Sequence, residues 1–441
     1  MKEFRITGGT PLHGSVRLGG AKNASFKLMI ASLLTKGESR LLNFSHIKDV
    51  EVTKRIIEKL AVKIYSAGER TLFIHADSIP SSDVDPELGL QSRASSMFLA
   101  PLLARTGKAS APLPGGDSIG ARPIDRHTKG LEAFGARVWQ DGNLVKAEAP
   151  NGLHGAEYIF EKVTHTGTET VLMAAVAAKG KSVLKNCAVE PEVDDLISYL
   201  RAMGANIRRR EPRIIEVEGG IELHPTIHRI MPDRNEAVTY ACAAIATKGD
   251  IVVENAKAEH LTAFLEKIEE IGAGYEIGEF GIRFYWKGQT RSADIITSPH
   301  PGFMTDWQPL WAVVASQAEG ESTIHETVSE QRFQYAEFLS QMGVTVRRFQ
   351  PEVEDPKKLY QWSFSSEHDL GGHALAITGP AKLRSGSFVV PDIRAGANLV
   401  LSSMIADGVS TLTGVDHIER GYEKLPERLL SMGANIEILE R

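Results

Sequence analysis

Charged side chains stand just before several apolar, helix-like runs of this 441-residue chain. In GGAKNAS, residues 19–25, Lys22 and Asn23 lie between a pair of glycines and the first of these runs. A cation near a helix start, where backbone N–H groups point outward, is well placed to hold an anionic oxygen. The pattern predicts that Lys22 binds an anion. A solvated lysine in a loop is the simpler alternative.

A second polar stretch, LPGGDSIGARPIDRH at residues 113–127, has the composition of a mobile loop. Asp117 is its titratable acid, and Arg122 and Asp125 follow. A glycine-rich loop that carries an acid and an arginine is typical of a lid that closes over a charged substrate. A plain connecting loop is the alternative.

A third group of charges occupies corresponding places in the second half of the chain. Asp306 in HPGFMTDWQ and Arg394 in VPDIRAGANLVL each precede an apolar run, and Arg420 in HIERGYEKL precedes an amphipathic one. Arg93, Lys48 and Arg332 are further charges outside the apolar runs. Together they would suit one anion-binding site, although each alone is also explained as a surface ion pair or a cap. No zincin-type, Walker-type or nucleophile-elbow motif occurs, and no metal or organic cofactor is expected.

The elements that must position these residues form an internal repeat. Six times, an apolar run meets a glycine and then a strand-like run; the glycines are Gly37, Gly107, Gly180, Gly249, Gly320 and Gly408. Their spacings are 70, 73, 69, 71 and 88 residues. Because these runs are apolar almost all round, we expect six buried helices. Each glycine is expected to be a left-handed helix C-cap.

A second, amphipathic helix follows in most copies and ends in a Gly-Ala or Gly-Val step, as in LEAFGARVW and LRAMGANIR, with KLAVKIYS a degenerate first copy. The predicted fold class is therefore α/β, with two domains of three units each. The stretch HPTIHRIMPDR, residues 224–234, is the expected crossover between them. The longer last interval predicts an insertion near residues 349–373, whose polar composition suits a surface excursion.

Composition excludes several classes of protein. Apolar residues make up 42% and charged residues 24%, and the formal net charge of -6 gives no basic stripe for nucleic acid. We expect neither a signal peptide nor a membrane span. Cys187 and Cys242 lie in apolar stretches far apart, so a disulfide framework is not expected and a reducing cytoplasm fits best.

The motifs together resemble the enolpyruvyl transferases nearly end to end. The resemblance rests on GGAKNAS, PGGxxIGARPxDxH, EPEVxDL, HPGFxTDxQ, DxRAGAxLVL and HIxRGYExL. It implies two inside-out domains with buried helices and solvent-facing sheets, one spanning residues 22–231 and the other residues 1–21 and 232–441. It also implies that the substrates bind between these domains and that no cofactor is needed.

The branch that the motifs resemble transfers the enolpyruvyl group of phosphoenolpyruvate to the 3-hydroxyl of UDP-N-acetylglucosamine, a cytoplasmic step of peptidoglycan synthesis. We expect a monomer or weak homo-oligomer with no nucleic-acid or membrane partner. By position, the resemblance implies catalytic roles for Asp117, Asp306, Lys22 and Arg394. It implies substrate-binding roles for Asn23, Lys48, Arg93, Arg122, Asp125, Lys162, Thr164 and Arg420.

Two departures from the family pattern bear on the reaction. The loop position that commonly holds Cys in the family holds Asp117, and VTHTGTE at residues 163–169 replaces a Ser-Val-Gly-Ala-Thr-like run. The alternatives are an enolpyruvyl transferase for another nucleotide sugar and a silent homologue that only binds one. The sister reaction on shikimate phosphate is disfavoured, because its Ser-Lys-Ser and Gly-Asn-Ala-Gly-Thr motifs are absent.

Overall fold

The computed structural model describes residues 2–115, 124–362, 364–365 and 369–440. Its strands are β1 (Lys2–Thr7), β2 (His13–Arg17), β3 (Glu38–Leu42), β4 (Lys63–Ala67), β5 (Thr71–His75), β6 (Lys108–Pro112), β7 (Arg137–Asp141), β8 (Leu144–Glu148), β9 (Glu157–Ile159), β10 (Gly180–Lys185), β11 (Asn206–Glu211), β12 (Ile214–Gly219), β13 (Ile227–Arg229), β14 (Asp250–Glu254), β15 (Gly274–Gly278), β16 (Gly281–Tyr285), β17 (Ile295–Ile296), β18 (Gly320–His325), β19 (Thr345–Phe349), β20 (Ala374–Gly379), β21 (Ser387–Val389), β22 (Val409–Thr413) and β23 (Asn435–Glu440).

The α-helices are α1 (Lys22–Ala31), α2 (Lys48–Lys59), α3 (Pro86–Leu90), α4 (Leu99–Thr106), α5 (Asp125–Ala133), α6 (His165–Ala177), α7 (Pro191–Ala202), α8 (Arg234–Ala246), α9 (Thr262–Glu270), α10 (Gln308–Ala315), α11 (Tyr335–Gln341), α12 (Pro356–Leu359), α13 (Ile393–Ile405) and α14 (Leu425–Ser431). Short 3-10 helices cover Ser32–Leu34, Ser95–Phe98, Ala258–His260 and Val415–Arg420.

The described chain forms two compact units, and each has its own hydrophobic core. One unit comprises residues 19–115 and 124–231, and the other comprises residues 2–18 and 232–440. The first contains the sheets β13-β3-β5-β4, β6-β8-β7 and β11-β12-β10-β9. The second contains β15-β16-β14-β2, β17-β18-β20-β19 and β21-β22-β1-β23.

Every four-stranded sheet has three antiparallel strands and one parallel edge strand. A buried helix connects the parallel pair in three of them: α6 joins β9 to β10, α10 joins β17 to β18, and α13 joins β21 to β22. In the three-stranded sheet, a parallel bridge from Asp83 to Ser110 takes the place of the edge strand. Three similar helix–strand assemblies per unit follow from the sixfold repeat.

The helices expected to be buried are buried. All 13 residues of α8 and 12 of the 13 residues of α13 are shielded from solvent. The strands instead alternate, as in β14, where Ile251 and Val253 are buried between partly exposed neighbours. The inside-out α/β fold class is thereby confirmed.

The predicted helix C-caps are correct at one glycine. Gly107 ends α4 in the left-handed conformation, with φ 75°. Gly180 and Gly320 have φ 106° and 111° but open the following strands β10 and β18, after the helix has ended. At the fourth copy Lys248, with φ 59°, takes the left-handed position beside Gly249. The glycines therefore mark the turn into the strand more often than the helix end.

The second glycine series behaves uniformly. Gly135, Gly204, Gly272, Gly343 and Gly433 each follow an amphipathic helix and have φ between 79° and 102°. In the degenerate first copy the same place after α2 is held by Ala61, with φ 61°. A Cβ atom is disfavoured in this conformation, so Ala61 carries local strain.

The predicted insertion lies between β19 and β20 and contains the short helix α12. It is more firmly anchored than a surface excursion would be. Tyr360 is fully buried, stacks on Trp362 at 4.4 Å between ring centroids and contacts His373 at 5.0 Å. The Gln361 N–H donates to Thr327 O at 2.8 Å, which ties the insertion to the segment after β18.

Candidate active site

In the unit formed by residues 19–231, Lys22 is the first residue of α1 and not a solvated loop lysine. Helix α1 starts without a side-chain cap. Lys22 is 7% exposed, and its Nζ lies 2.9 Å from Asp49 Oδ2, on the second residue of α2. The ion pair sets the N-termini of α1 and α2 side by side. Asn23 is half-buried next to Lys22, and Lys48 is exposed next to Asp49.

Two further contacts join these helices to α5 and α6. Lys27, in the second turn of α1, donates to Glu169 Oε1 at 2.8 Å and to His165 Nε2 at 2.7 Å. His127 Nε2 lies 3.0 Å from Thr166 Oγ1, which connects α5 to α6. The N-terminal turns of four helices of this unit are therefore neighbours.

The predicted residues of this unit, apart from Arg93, lie on those turns or just before them. Asp125 is the first residue of α5, Thr164 caps α6 by accepting from Gly167 N at 3.3 Å, and Lys162 lies just before it. Arg93 is exposed on the approach to the 3-10 helix Ser95–Phe98. The chain fold thus gathers residues that are up to about 140 positions apart in sequence.

Burial governs the electrostatics of this group. It lowers the pKa of His127 to about 4, although the nearby Asp125 opposes the shift. His127 is therefore neutral at pH 7. Burial also lowers the pKa of Lys27, against the opposing effect of Glu169. Arg93 adds positive potential at both groups and lowers both pKa values further.

In the other unit, two guanidinium groups hold one carboxylate. Arg394 Nε donates to Asp306 Oδ1 at 3.2 Å, and Arg332 Nη2 donates to the same oxygen at 2.5 Å. Asp306 lies just before α10 and its side chain is 21% exposed, while those of Arg332 and Arg394 are 4% and 8% exposed. The carboxylate of Asp306 therefore stays partly exposed to solvent while two buried cations contact it.

Arg394 owes its position to the start of α13. Asp392 caps that helix by accepting from Arg394 N at 2.8 Å and Ala395 N at 3.0 Å. The guanidinium also donates to Tyr422 Oη at 2.9 Å. Burial alone would lower the pKa of Arg394, but Tyr422, Asp306 and Asp233 outweigh burial and raise it. Arg394 therefore remains charged throughout the physiological range.

Arg332 was the main residue that sequence reasoning undervalued. Its segment is fixed by Glu326, a buried carboxylate that accepts from Val328 N at 2.7 Å and Ser329 N at 2.9 Å. Glu326 also accepts from Thr305 Oγ1 at 2.8 Å, beside Asp306. One buried side chain thus orders both the segment before Arg332 and the residue before Asp306. Nothing in SEQRF itself marks that role.

The positions of the remaining predicted residues reveal less about their roles. Arg420 ends the 3-10 helix Val415–Arg420 and is half-buried. Asp117 and Arg122 lie outside the described residues. Within the residues that the structure describes, His, Cys, Asp and Glu side chains form no group of three or more that could hold a metal ion. No helix in the described part of the chain has the length and apolar character needed to cross a bilayer.

Sequence comparisons with known proteins agree with one another. A family model for EPSP synthase (3-phosphoshikimate 1-carboxyvinyltransferase) matches residues 6–429. A UDP-N-acetylglucosamine 1-carboxyvinyltransferase from Sorangium cellulosum is 39% identical over 444 residues, covering 100% of this chain and 99% of the relative. The protein of that name from Koribacter versatilis is 37% identical and covers 99% of this chain and 96% of its own.

Solved structures agree on the fold. The enolpyruvyl transferase NikO from Streptomyces tendae superposes with a TM-score of 0.83 at 22% identity, covering 99% of both chains. An EPSP synthase from Acinetobacter baumannii superposes with a TM-score of 0.72 at 18% identity, covering 100% of both. At these identities the likeness concerns the fold alone. The family model and the nearly full-length relatives go further, and this chain belongs to the EPSP synthase family of enolpyruvyl transferases.

Proposed function

We propose that this protein transfers the enolpyruvyl group of phosphoenolpyruvate to the 3-hydroxyl of UDP-N-acetylglucosamine, with release of phosphate. Relatives that carry the name of this activity are 36–39% identical over nearly the whole chain. The EPSP synthase structures match at only 18% identity, which favours the nucleotide sugar over shikimate phosphate. The reaction would be the first committed step of peptidoglycan synthesis, in the cytoplasm. It would serve cell wall biogenesis, cell shape and cell division.

The observation that carries the proposal is the carboxylate of Asp306 between Arg394 and Arg332. In this proposal the carboxylate of Asp306 accepts the proton of the sugar 3-hydroxyl as general base. The oxygen then attacks C2 of phosphoenolpyruvate. Once Asp306 has accepted the hydroxyl proton, its carboxyl is neutral. The guanidinium groups of Arg394 and Arg332 can then contact anionic oxygens of the substrates.

Asp117 is proposed as the acid that protonates C3 of phosphoenolpyruvate. Addition of the sugar oxygen at C2 and of a proton at C3 gives a tetrahedral phospholactoyl adduct. Loss of phosphate from C2 and of a proton from C3 regenerates the double bond as an enol ether. To act as the acid, Asp117 has to be protonated when the substrates are bound, although an aspartate carboxyl has an ordinary pKa near 3.9.

The cationic residues are proposed to stabilise the charges on the substrates throughout. Lys22, Arg122, Arg394 and Arg420 are assigned to the carboxylate and phosphate of phosphoenolpyruvate, with Lys48 and Arg93 as further positive residues. Asn23, Asp125, Lys162 and Thr164 are assigned to the nucleotide sugar. In support, the described residues of the first unit other than Arg93 lie on the neighbouring N-termini of α1, α2, α5 and α6 or on their approaches. Fixed charges aimed at developing charge are the largest expected contribution to catalysis.

The two units are proposed to be the two enolpyruvyl-transferase domains, residues 22–231 and residues 1–21 with 232–441. We also propose that the protein resists fosfomycin, because the loop position that holds a reactive thiol in relatives holds Asp117.

Phosphate release tests the proposal directly. The purified chain should release phosphate from phosphoenolpyruvate with UDP-N-acetylglucosamine, and the product mass should equal that of the sugar nucleotide plus the enolpyruvyl group. UDP-glucose, UDP-N-acetylgalactosamine and shikimate 3-phosphate serve as competing acceptors. Faster turnover with one of them would replace the acceptor, and binding of the sugar nucleotide without phosphate release would indicate a silent homologue.

A further inference from the structure

One connection in the unit formed by residues 2–18 and 232–440 is much longer than its counterparts in the repeat. The insertion between β19 and β20 comprises residues 350–373, of which the structure describes 350–362, 364–365 and 369–373. Four other repeats join the corresponding strands by turns of two or three residues, at 68–70, 142–143, 212–213 and 279–280. Ordering so many additional residues costs conformational entropy, so their contacts have to offset that cost.

The insertion is anchored by aromatic rings. The fully buried ring of Tyr360 stacks on Trp362 at 4.4 Å and on Phe364 at 5.4 Å between ring centroids. Tyr360 Oη lies 3.3 Å from Nε2 of His325, the last residue of β18. The anchor therefore reaches past its own strands, β19 and β20, to the end of β18.

Backbone hydrogen bonds tie the insertion to the segment that follows β18, residues 326–333. Gln361 N donates to Thr327 O at 2.8 Å. Glu326 N donates to His373 O at 2.9 Å. Two separate parts of the insertion thus hold the first two residues of this segment.

Arg348 of β19 connects the insertion to the other end of the same segment. Its Nε donates to Gly372 O at 2.6 Å and its Nη2 to Gly371 O at 3.4 Å. Its Cζ lies 5.7 Å from the ring centroid of the buried Phe333, a cation–π distance. Phe333 directly follows Arg332, so the segment is held at both ends.

The segment carries the guanidinium of Arg332 to Asp306. Between its two held ends, Glu326 accepts from two backbone N–H groups of the segment and from the hydroxyl of the residue before Asp306. A displacement of Thr327 would therefore change the position of Arg332 relative to Asp306. Misplacement of a catalytic group by about 1 Å can lower a rate about a hundredfold.

We propose that Tyr360 and Gln361 of the insertion, together with Arg348, are positioning residues of the proposed active site. They hold residues 326–333 so that the guanidinium of Arg332 stays against Asp306. The inference rests on the proposed function, because it assigns these residues to the same reaction. An insertion that only covered the edge of its sheet would stabilise the fold and leave the chemistry unchanged.

Gln361→Pro tests the backbone contact with Thr327. The substitution removes the N–H donor, and Tyr360, with φ -74° and ψ 135°, already has the extended conformation that a following proline requires. We expect kcat to fall about tenfold, while KM for both substrates changes less than about threefold. Gln361→Ala keeps the N–H group and should stay within about twofold of wild-type kcat. Wild-type kcat in Gln361→Pro would overturn the proposal.

Arg348→Met tests the other end of the segment. It should lower kcat about three- to tenfold. Arg347→Met is the matched control on the same strand, because Arg347 is exposed and pairs only loosely with Glu321, at 3.5 Å. Equal kcat values for the two variants would remove Arg348 from the proposal.

A double-mutant cycle asks whether the insertion acts through Arg332. In an Arg332→Met background the group to be positioned is gone, so Gln361→Pro should change kcat less than about twofold. An undiminished tenfold loss in that background would overturn the proposal, because the insertion would then act on some other group or on stability alone.

Hydrogen exchange keeps this inference distinct from the proposed function, since it needs no substrate. The amide hydrogens of Val328 and Ser329, which donate to Glu326 Oε1, should exchange about tenfold faster in Gln361→Pro than in Gln361→Ala. Mass spectrometry of a peptide that covers residues 326–333 measures the difference. Equal exchange in the two variants would overturn the positioning role whatever the reaction. Absence of turnover by the wild-type protein would instead overturn the proposed function, and the catalytic role of the insertion with it.

Discussion

Arg394 and Asp306 are 88 residues apart in sequence, and Arg394 Nε donates to Asp306 Oδ1 at 3.2 Å. Asp306 lies on the approach to α10, while Arg394 is the second residue of α13. The contact therefore joins the approach to one buried helix to the first turn of the buried helix in the next repeat. Because both residues lie close to the N-terminus of a buried helix, the repeat brings the carboxylate and the guanidinium together.

Replacement of the shared carboxylate should abolish most turnover. Asp306→Asn preserves the shape of the side chain and removes the base, so kcat should fall by about 10²–10⁴. The fold should persist, because the side chain is partly exposed. Asp407→Asn, at an exposed position in the same unit, is the matched control. If Asp306→Asn retained more than about a tenth of wild-type kcat, another group would have to be the base.

Lys22→Ala should lose activity and some stability together. The residue is assigned to phosphoenolpyruvate, so kcat/KM should fall by at least about a hundredfold. Because the substitution also removes the ammonium from a buried pair with Asp49, we expect the unfolding free energy to fall by about 1–3 kcal/mol. Lys59→Ala, at the exposed end of α2, should change neither quantity appreciably. Near wild-type kcat/KM in a folded Lys22→Ala would refute its assignment.

Fosfomycin should not inactivate the protein. Cys187 and Cys242 are buried, and burial raises the pKa of Cys187 to about 12 and that of Cys242 further, so neither thiol is reactive near neutral pH. Asp117→Cys should stay active, become sensitive to the epoxide and be alkylated at residue 117, as detected by mass spectrometry. Alkylation of the wild-type protein at Asp117 would contradict the expectation.

The pH dependence of turnover should separate the same two proteins. With a carboxyl as general acid, turnover should fall as pH rises through the pKa of Asp117, because the protonated fraction drops about tenfold per pH unit above it. Asp117→Cys should hold its activity to higher pH, since a thiol has an ordinary pKa near 8.5. Identical pH profiles, or an active Asp117→Asn variant, would remove Asp117 from the reaction.

Stability should fall as the solution is acidified towards pH 4, because of His127. Its folded pKa of about 4 lies below the ordinary value of 6.5, so the unfolded chain binds the extra proton between these limits. The free energy of unfolding should therefore decrease by up to about 1.4 kcal/mol per pH unit in this window, relative to His127→Gln. Denaturant titrations at pH 7, 6 and 5 measure the difference, and parallel curves for the two proteins would contradict it.

Ala61→Gly should stabilise the protein. Ala61 is exposed and has φ 61°, where the other five copies of the repeat carry glycine. Relief of the Cβ clash should raise the free energy of unfolding by about 0.5–1 kcal/mol. Ala104→Gly, at an exposed position inside α4, should lower it by a similar amount, because glycine disfavours helices. A loss of stability in Ala61→Gly would be inconsistent with strain at this residue.

The repeat made most of the fold predictable. Six apolar runs at near-constant spacing predicted six buried helices, because a helix that is apolar all round has to be enclosed. Whether each glycine ends a helix or begins a strand was not predictable, since a residue in the left-handed conformation suits both places equally well. The insertion at 349–373 has a polar sequence, and only the packing of Tyr360 reveals its anchor.

The placement of charges on or just before helix starts was predictable, as at Lys22, Asp306 and Arg394. The roles of these three residues stay predictions. Arg332 and Glu326 lie outside such starts, and their roles depend on contacts that bring separate segments together. Lys27 and Glu169 are 142 residues apart and sit inside apolar runs, where a single charged residue gives no sign of its partner. Long-range pairing of this kind is set by tertiary structure and leaves no local pattern.

Strand β1 lies between β22 and β23, so its backbone is paired on both edges with residues 409–413 and 435–440. On the ribosome, residues 2–7 have to wait for more than 400 further residues before these partners exist, on the order of 20–80 s at usual rates of synthesis. Residues 19–231 contain every strand of their own three sheets and meet no such delay. Because the chain is made from its N-terminus, the unit of residues 19–231 can fold before β1 has its partners. During that time β1 is still exposed to chaperones and proteases.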